Sequence, residues 1–192
     1  MKWLILIFIP LLLSGCELFT TRTAQAPTQP RSDYQQAITP DILITNLINS
    51  LKDKSDVNYL SCLSDSSFSH RVFYFSPSSA AIAQYPSLSE NWGKKNEQQY
   101  FDNLTTKIPQ DMPITLTLSN VSESPQGDSL VYTASYFLTV PTNDPTFPQN
   151  YQGELQFNMI RDSRSIWSIY YWQDTKSTNL PSWSDLKGRT YY

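Results

Sequence analysis

The hydrophobic period of this chain changes near residue 113, and that change constrains its fold more than any other feature. Beyond it, apolar side chains recur at every second position. Ile114, Leu116 and Leu118 alternate with Thr115, Thr117 and Ser119. Leu130, Tyr132, Ala134, Tyr136, Leu138 and Val140 share one face of a long segment. Tyr151, Gly153, Leu155, Phe157 and Met159 alternate with Gln152, Glu154, Gln156 and Asn158, so Glu154 is expected to face solvent. Side chains of a strand point to alternate faces, so this is the period of half-buried antiparallel strands. Residues 166–172 are apolar on both faces and are predicted to lie inside the sheet. Turn-forming stretches at 122–128, 141–150 and 162–165 separate the four strands. Residues 181–188 predict a loop or a short C-terminal helical turn.

The first half carries the helical period instead. Thr39, Pro40 and Asp41 make a capped start, and Ile44, Leu47, Ile48 and Leu51 then follow i, i+3, i+4, i+7 spacing. They predict an amphipathic helix of about 12 residues. A second helix is predicted over 56–63 with Val57, Leu60 and Leu63 inward. A short strand over 71–76 ends at Pro77, and a helical turn follows at 79–84. A third helix over 94–107 packs through Tyr100, Phe101, Leu104 and Ile108 and stops at Pro109. Helices followed by a four-strand meander give an α+β class, with N-terminal helices packed on a curved antiparallel sheet.

Composition narrows the function. The 192 residues suit one domain with a short appendage. A net charge of −3 opposes nucleic-acid binding, which calls for a basic patch. One His and two Cys exclude most metal clusters and disulfide frameworks, and five Gly leave no phosphate-binding loop. No metal and no cofactor are expected.

The N-terminus reads as an address. Lys2 precedes 11 apolar residues at 3–13, well short of the roughly 20 that cross a bilayer as a helix. Leu13-Ser14-Gly15-Cys16 resembles the lipobox of bacterial lipoproteins. Small residues at 14 and 15 admit the backbone to a narrow peptidase cleft, and the Cys16 thiolate can take a diacylglycerol as a thioether. The resemblance implies cleavage between Gly15 and Cys16, and then attachment to the membrane through acyl chains (palmitate among them) on Cys16. Glu17, where Asp commonly retains such proteins in the inner membrane, points to the outer membrane in a Gram-negative host. The expected organisation is a signal peptide at 1–15, the lipidated cysteine and a flexible tether at 16–37, and one domain at 38–192. Cys62 then remains as the one other thiol, and it is expected to be buried and inert.

Residues 38–180 resemble the NTF2-like (SnoaL-like) cone fold in their order of elements. Trp167, Ile169, Trp172 and Asp174 match a W-x-I-x-x-W-x-D ending of its last strand, and 181–188 is similar to the tail of envelope-anchored members. Three early helices oppose the rival, a lipocalin-type barrel. The resemblance implies a curved sheet around a pocket that Tyr132, Tyr136, Tyr170, Trp172 and Asp174 could line. Asp174 could be a base at the cone mouth or a strand-end carboxylate held by backbone N–H groups. Enzymes of the superfamily pair an Asp with a His or a Tyr inside the cone, and no such set maps here, so no catalytic residue is assigned. His70 lies in a polar loop with Asp65 and Ser67, a triad in composition only. Phe147, between prolines, is either an exposed contact point or tucked against the sheet. The expected function is a lipid-anchored envelope protein whose domain binds an envelope protein partner or a small apolar ligand. The alternative is a periplasm-facing isomerase or hydrolase. A hollow cone favours a ligand or a reaction, and a cone filled by aromatic side chains leaves the outer surface to act.

Overall fold

Side-chain caps set where the helices begin. The computed structural model describes residues 33–89 and 91–191; Gly15, Cys16 and the rest of the expected signal peptide and lipobox lie outside the described residues. In helix α1 (Pro40–Lys52) Thr39 accepts from the Ile42 N–H, Pro40 occupies the first turn, and Leu43, Ile44, Leu47 and Leu51 are buried. Ser55 caps α2 (Asp56–Ser61), Asp65 caps α3 (Ser66–Ser69) and Ser78 caps α4 (Ser79–Gln84). A 3-10 turn follows at Pro86–Ser89, and α5 (Lys94–Thr106) buries Tyr100, Phe101 and Leu104 as its period predicts. The inward face of α2 differs from the expected one. Val57 is 66% exposed and Tyr59 is fully buried, because the Tyr59 hydroxyl finds an acceptor inside, on Glu97.

Strands β1 (Tyr74–Ser76), β2 (Thr115–Gln126), β3 (Ser129–Thr139), β4 (Asn150–Arg161) and β5 (Trp167–Thr175) form one sheet in the order β1-β5-β4-β3-β2. β1 runs parallel to β5, and the other pairs are antiparallel. β5 is interior, as its two apolar faces predict. β2 runs on through the turn expected at 122–128. A bulge between Ser119 and Ser122, with Asn120 at φ 52°, restores pairing down to Gln126–Ser129, and Gly127 at φ 64° makes the tight turn. The free edge of β1 is closed by the Phe75 N–H, which donates to the Trp92 carbonyl.

Two boundaries move. Residues 34–37, expected in the tether, belong to the domain: Asn46 exchanges two hydrogen bonds with the Gln35 backbone at 3.0 and 2.6 Å, and the Ala37 carbonyl accepts from the Trp167 N–H at 2.7 Å. The C-terminal segment, expected as a loop or a single turn, is helix α6 (Trp183–Thr190), with Ser182 and Asp185 capping each other. It is buried on nearly all sides, Trp183, Leu186, Lys187, Gly188 and Thr190 included. It lies against the inner face of the sheet, where Trp183 meets Trp172 and Tyr136 edge to face.

The seat of α6 demands a glycine. A Cβ on Gly188 would stand 2.4 Å from the Tyr85 ring, well inside contact distance. Gly188→Ala is therefore expected to destabilise the protein by about 2 kcal/mol, the usual cost of overpacking a tight core. In urea titration the midpoint should fall with the slope unchanged.

Candidate functional site

Asp174 closes strand β5 on the inner face and is 2% exposed. Its Oδ1 accepts from the Tyr136 hydroxyl at 2.7 Å. Its Oδ2 accepts from the Ser184 N–H at 2.7 Å and also from the Ser184 hydroxyl. The Trp183 N–H donates to the Tyr136 oxygen at 2.7 Å. The first N–H groups of a helix have no partner within it and favour an anion. Asp174, directly and through Tyr136, caps α6. Burial pushes the Asp174 carboxyl above the usual range, against the donors that pull it down. Burial and the adjacent Asp174 hold the Tyr136 hydroxyl protonated well above pH 10. Gly153 pairs with Tyr136 across the sheet, and a Cβ there would lie 2.7 Å from that hydroxyl, so only glycine leaves room.

One turn further along α6, the Lys187 ammonium pairs with Glu97 of α5, both side chains fully buried. Glu97 Oε1 also accepts from the Trp92 indole N–H at 2.8 Å, and Oε2 accepts from the Tyr59 hydroxyl at 2.8 Å. The ammonium lies 3.7 Å from the Phe75 ring centre and 3.8 Å from that of Trp172, close enough for cation–π attraction. Burial pushes the Lys187 pKa down to about 8, with Glu97 opposing. The Trp183 indole N–H donates to the Tyr100 hydroxyl at 3.0 Å. Three buried polar atoms, the Ser87 and Tyr151 hydroxyl oxygens and the Trp172 indole nitrogen, have no hydrogen-bond partner among the described residues. The buried carboxylates Asp174, Glu97 and Asp185 are all engaged by donors from the chain itself.

No family model matches the sequence, and no curated protein matches it. Solved structures do match. A provisionally assigned scytalone dehydratase from Novosphingobium aromaticivorans aligns with a TM-score of 0.56 at 6% identity, over 72% of this chain and 81% of that one. A conserved protein from Planctomyces limnophilus aligns at 0.55 and 7% identity, over 70% and 91%. A provisionally assigned dehydratase of the NTF2-like family from Streptomyces avermitilis aligns at 0.53 and 11%, over 73% and 99%. The fold is an NTF2-like cone. At these identities the likeness concerns the fold alone.

The cone brings together Tyr136, Trp172 and Asp174 of the residues expected to line a pocket, but α6 occupies the space they face. Tyr132 is on the same inner face, stacked on Phe157 at 6.2 Å and outside the polar network. Tyr170 is not with them. It is the extra residue where the β4–β5 register shifts between Asn158 and Met159, and it lies 5.4 Å from the Arg71 guanidinium. Phe147 is tucked in, against Tyr151 and Arg189. His70 is an exposed left-handed residue ending α3, and the Asp65 carboxylate caps the Ser67 N–H, so the loop's triad-like composition serves a cap and a turn. Cys62 is buried, and burial pushes its thiol up to about 12. Glu154 faces solvent as expected. Among the described residues no group of three His, Cys, Asp or Glu side chains could hold a metal ion. Sequence reasoning missed Glu97, Lys187, Tyr59, Trp92 and Ser184. Glu97 was detectable, since it falls at helical spacing on the stripe of Tyr100, Phe101 and Leu104.

Removing one partner of a buried pair strands the other charge. Glu97→Gln is expected to cost about 3–5 kcal/mol, and Lys187→Met added to it should recover much of the loss, read as the coupling energy of a double-mutant cycle. The pH dependence has a definite sign. Between about pH 8 and 10.5 the unfolded chain still holds the proton that folded Lys187 has released, so this group makes stability rise with pH across that window. The buried Tyr59, Tyr100 and Tyr136 act oppositely from pH 10 upward, because their folded pKa values are raised. Burial of Cys62, which raises its thiol to about 12, opposes the climb from about pH 9, so stability measured by denaturant should climb between about pH 8 and 9, level off and fall above pH 10, and Lys187→Met should remove most of the climb.

Proposed function

We propose that this chain is a lipid-anchored protein of the bacterial cell envelope, and that its cone is a non-catalytic binding module that works through its outer surface. The filled interior is the observation that carries the second part. A base that serves a substrate must come within hydrogen-bond reach of it. Asp174 and Glu97 are instead held by Tyr136, Ser184, Trp92, Tyr59 and Lys187. The same packing argues against a small apolar ligand inside the cone. The dehydratase descriptions of two neighbours favour the enzyme reading, which would require α6 to leave the cone.

The anchor reading rests on Leu13-Ser14-Gly15-Cys16 and on the short run of Thr, Gln, Pro and Ala residues between Cys16 and the domain. Two or more acyl chains hold a protein stably where one is marginal. No helix among the described residues is long and apolar enough to cross a membrane. Glu17 favours the outer membrane in a double-membraned host, with an envelope component as the partner.

Cys16→Ser tests the anchor. The variant should lose the acyl mass and leave the membrane fraction, measured by intact-mass spectrometry and fractionation of expressing bacteria. A variant that keeps both would sink the lipoprotein reading.

A further inference from the structure

A cleft of about 350 Å³ opens where the chain enters the domain, with Tyr34, Leu63, Asp65, Lys94, Arg164 and Trp167 in its lining. Four separate segments converge on it: the residues before α1, the stretch from α2 to α3, the first turn of α5 and the β4–β5 turn. Four of its twelve lining residues are charged, about twice the 16% share of the whole chain.

Lys94 is the group in this cleft that the chain leaves unanswered. It opens α5, and a cation in the first turn of a helix meets the positive end of the dipole. It is half-buried, and burial lowers its pKa, with Asp65 opposing. Its ammonium enters no ion pair among the described residues, and its one hydrogen bond there goes to the Leu63 carbonyl at 3.2 Å. A cation so placed costs free energy until an anion reaches it. Arg164 spends Nε and Nη2 on Asp162 at 2.9 and 2.6 Å and keeps Nη1. Asp65 spends Oδ1 on the Ser67 N–H at 2.9 Å. The Ser67 N–H and hydroxyl hold the Asp65 carboxyl below the usual range, and the nearby charges of Lys94 and Arg164 add to their effect. The cleft therefore offers two cations and an exposed carboxylate within electrostatic reach of one another.

That inventory selects among ligands. A plain anion suits Lys94 and meets the charge of Asp65. A plain cation suits Asp65 and meets the charge of Lys94. A zwitterion with a phosphate and a primary ammonium answers both signs, since each of its ends makes charge-assisted hydrogen bonds. The position of the cleft indicates the source of such a molecule. Tyr34, on its rim, follows Asp33, and 17 residues separate Asp33 from Cys16. Fully extended, they span at most about 60 Å, so an acylated Cys16 keeps the cleft near a bilayer surface crowded with phospholipid headgroups. Tyr34 and the half-buried Trp167 have the amphipathic rings that suit such a boundary.

We propose that this cleft binds the phosphoethanolamine headgroup of a membrane phospholipid, with Lys94 and Arg164 on the phosphate and Asp65 on the ammonium. This rests on the lipid-anchored reading and names a molecule that the domain meets at the membrane.

The test uses the full-length protein purified from membranes. Calorimetric titration with glycerophosphoethanolamine should show binding. Glycerophosphocholine has no N–H to donate to Asp65, and glycerol phosphate has no ammonium, so each should bind at least about tenfold more weakly. Lys94→Gln and Arg164→Gln should each weaken glycerophosphoethanolamine at least about tenfold. In vesicles, replacing part of the phosphatidylcholine by phosphatidylethanolamine should shift the tryptophan fluorescence. Trp92, Trp172 and Trp183 are buried, so Trp167→Phe should remove the shift. No heat from glycerophosphoethanolamine at roughly 10 mM overturns the proposal, as do equal affinities for the three compounds and binding that both variants leave unchanged. Binding in solution without a Trp167 shift in vesicles also overturns it, because the ligand is then a soluble zwitterion. If the headgroup compound fails while Cys16→Ser still releases the protein from membranes, the headgroup site falls and the anchor reading stands. If it binds a protein that carries no acyl mass, the anchor falls and the headgroup site stands.

Discussion

An ammonium with no access to water must find a carboxylate and a favourable surround, and that need fixes Lys187 against Glu97. The net contribution of such a pair to stability is small, because desolvation offsets most of the attraction. Its larger effect is on register. Ser184 and Lys187 are three residues apart, hence on one face of α6. A single seating of the helix brings Ser184 to Asp174 and Lys187 to Glu97 together. A shift of one turn would strand two carboxylates and one ammonium in the core, each at a cost of several kcal/mol. The aromatic residues around them, Phe75, Trp92, Tyr100 and Trp172, then pack in one arrangement.

The same arrangement decides what Asp174 and Tyr136 are for. Side by side at 2.7 Å, burial having raised both their pKa values, they have the composition of a proton-transfer pair. Perturbed pKa values also arise where a carboxylate caps a buried helix, and here the donors are the first N–H and hydroxyl groups of α6. Tyr136 is held from both sides, donating to Asp174 and accepting from the Trp183 N–H. A substrate would have to displace a helix before reaching either group.

Much of the sheet was legible because the period of two survives wherever one face is buried. It failed where register shifts. Ser119 to Ser122 on β2 carries a bulge, which breaks the alternation, so the Ser, Glu and Pro residues beyond it read as a turn. The extra residue at Tyr170 likewise moved that ring off the inner face. The α5 stripe was legible in Tyr100, Phe101 and Leu104, whereas Glu97, at the same helical spacing, carries a charge and so adds nothing to an apolar period. The α6 segment was hardest. Its Ser, Asp, Lys, Gly, Arg and Thr residues give no apolar stripe, because their partners lie elsewhere in the chain: Asp174 at the end of β5, Glu97 on α5 and the Tyr85 ring against Gly188. Local sequence cannot show that a lysine has a carboxylate 90 residues away.

Inner seal and outer sheet face are built on the same short stretch of β4 and β5. Gly153 lacks a Cβ so that Tyr136 can reach Asp174, and the position its Cβ would take lies 2.5 Å from the Thr175 carbonyl. The next residue on β4, Glu154, points the other way and pairs with Thr175 across the strands. Strand side chains alternate, so Asp174 faces α6 while Gln173 and Thr175 face the other way. Close-packed interiors transmit strain rather than absorb it. A helix that locks Asp174 and Tyr136 therefore also fixes the spacing of the Glu154, Gln173 and Thr175 side chains behind them. Filling the cone with α6 gives the outer face of the same two strands a rigid backing.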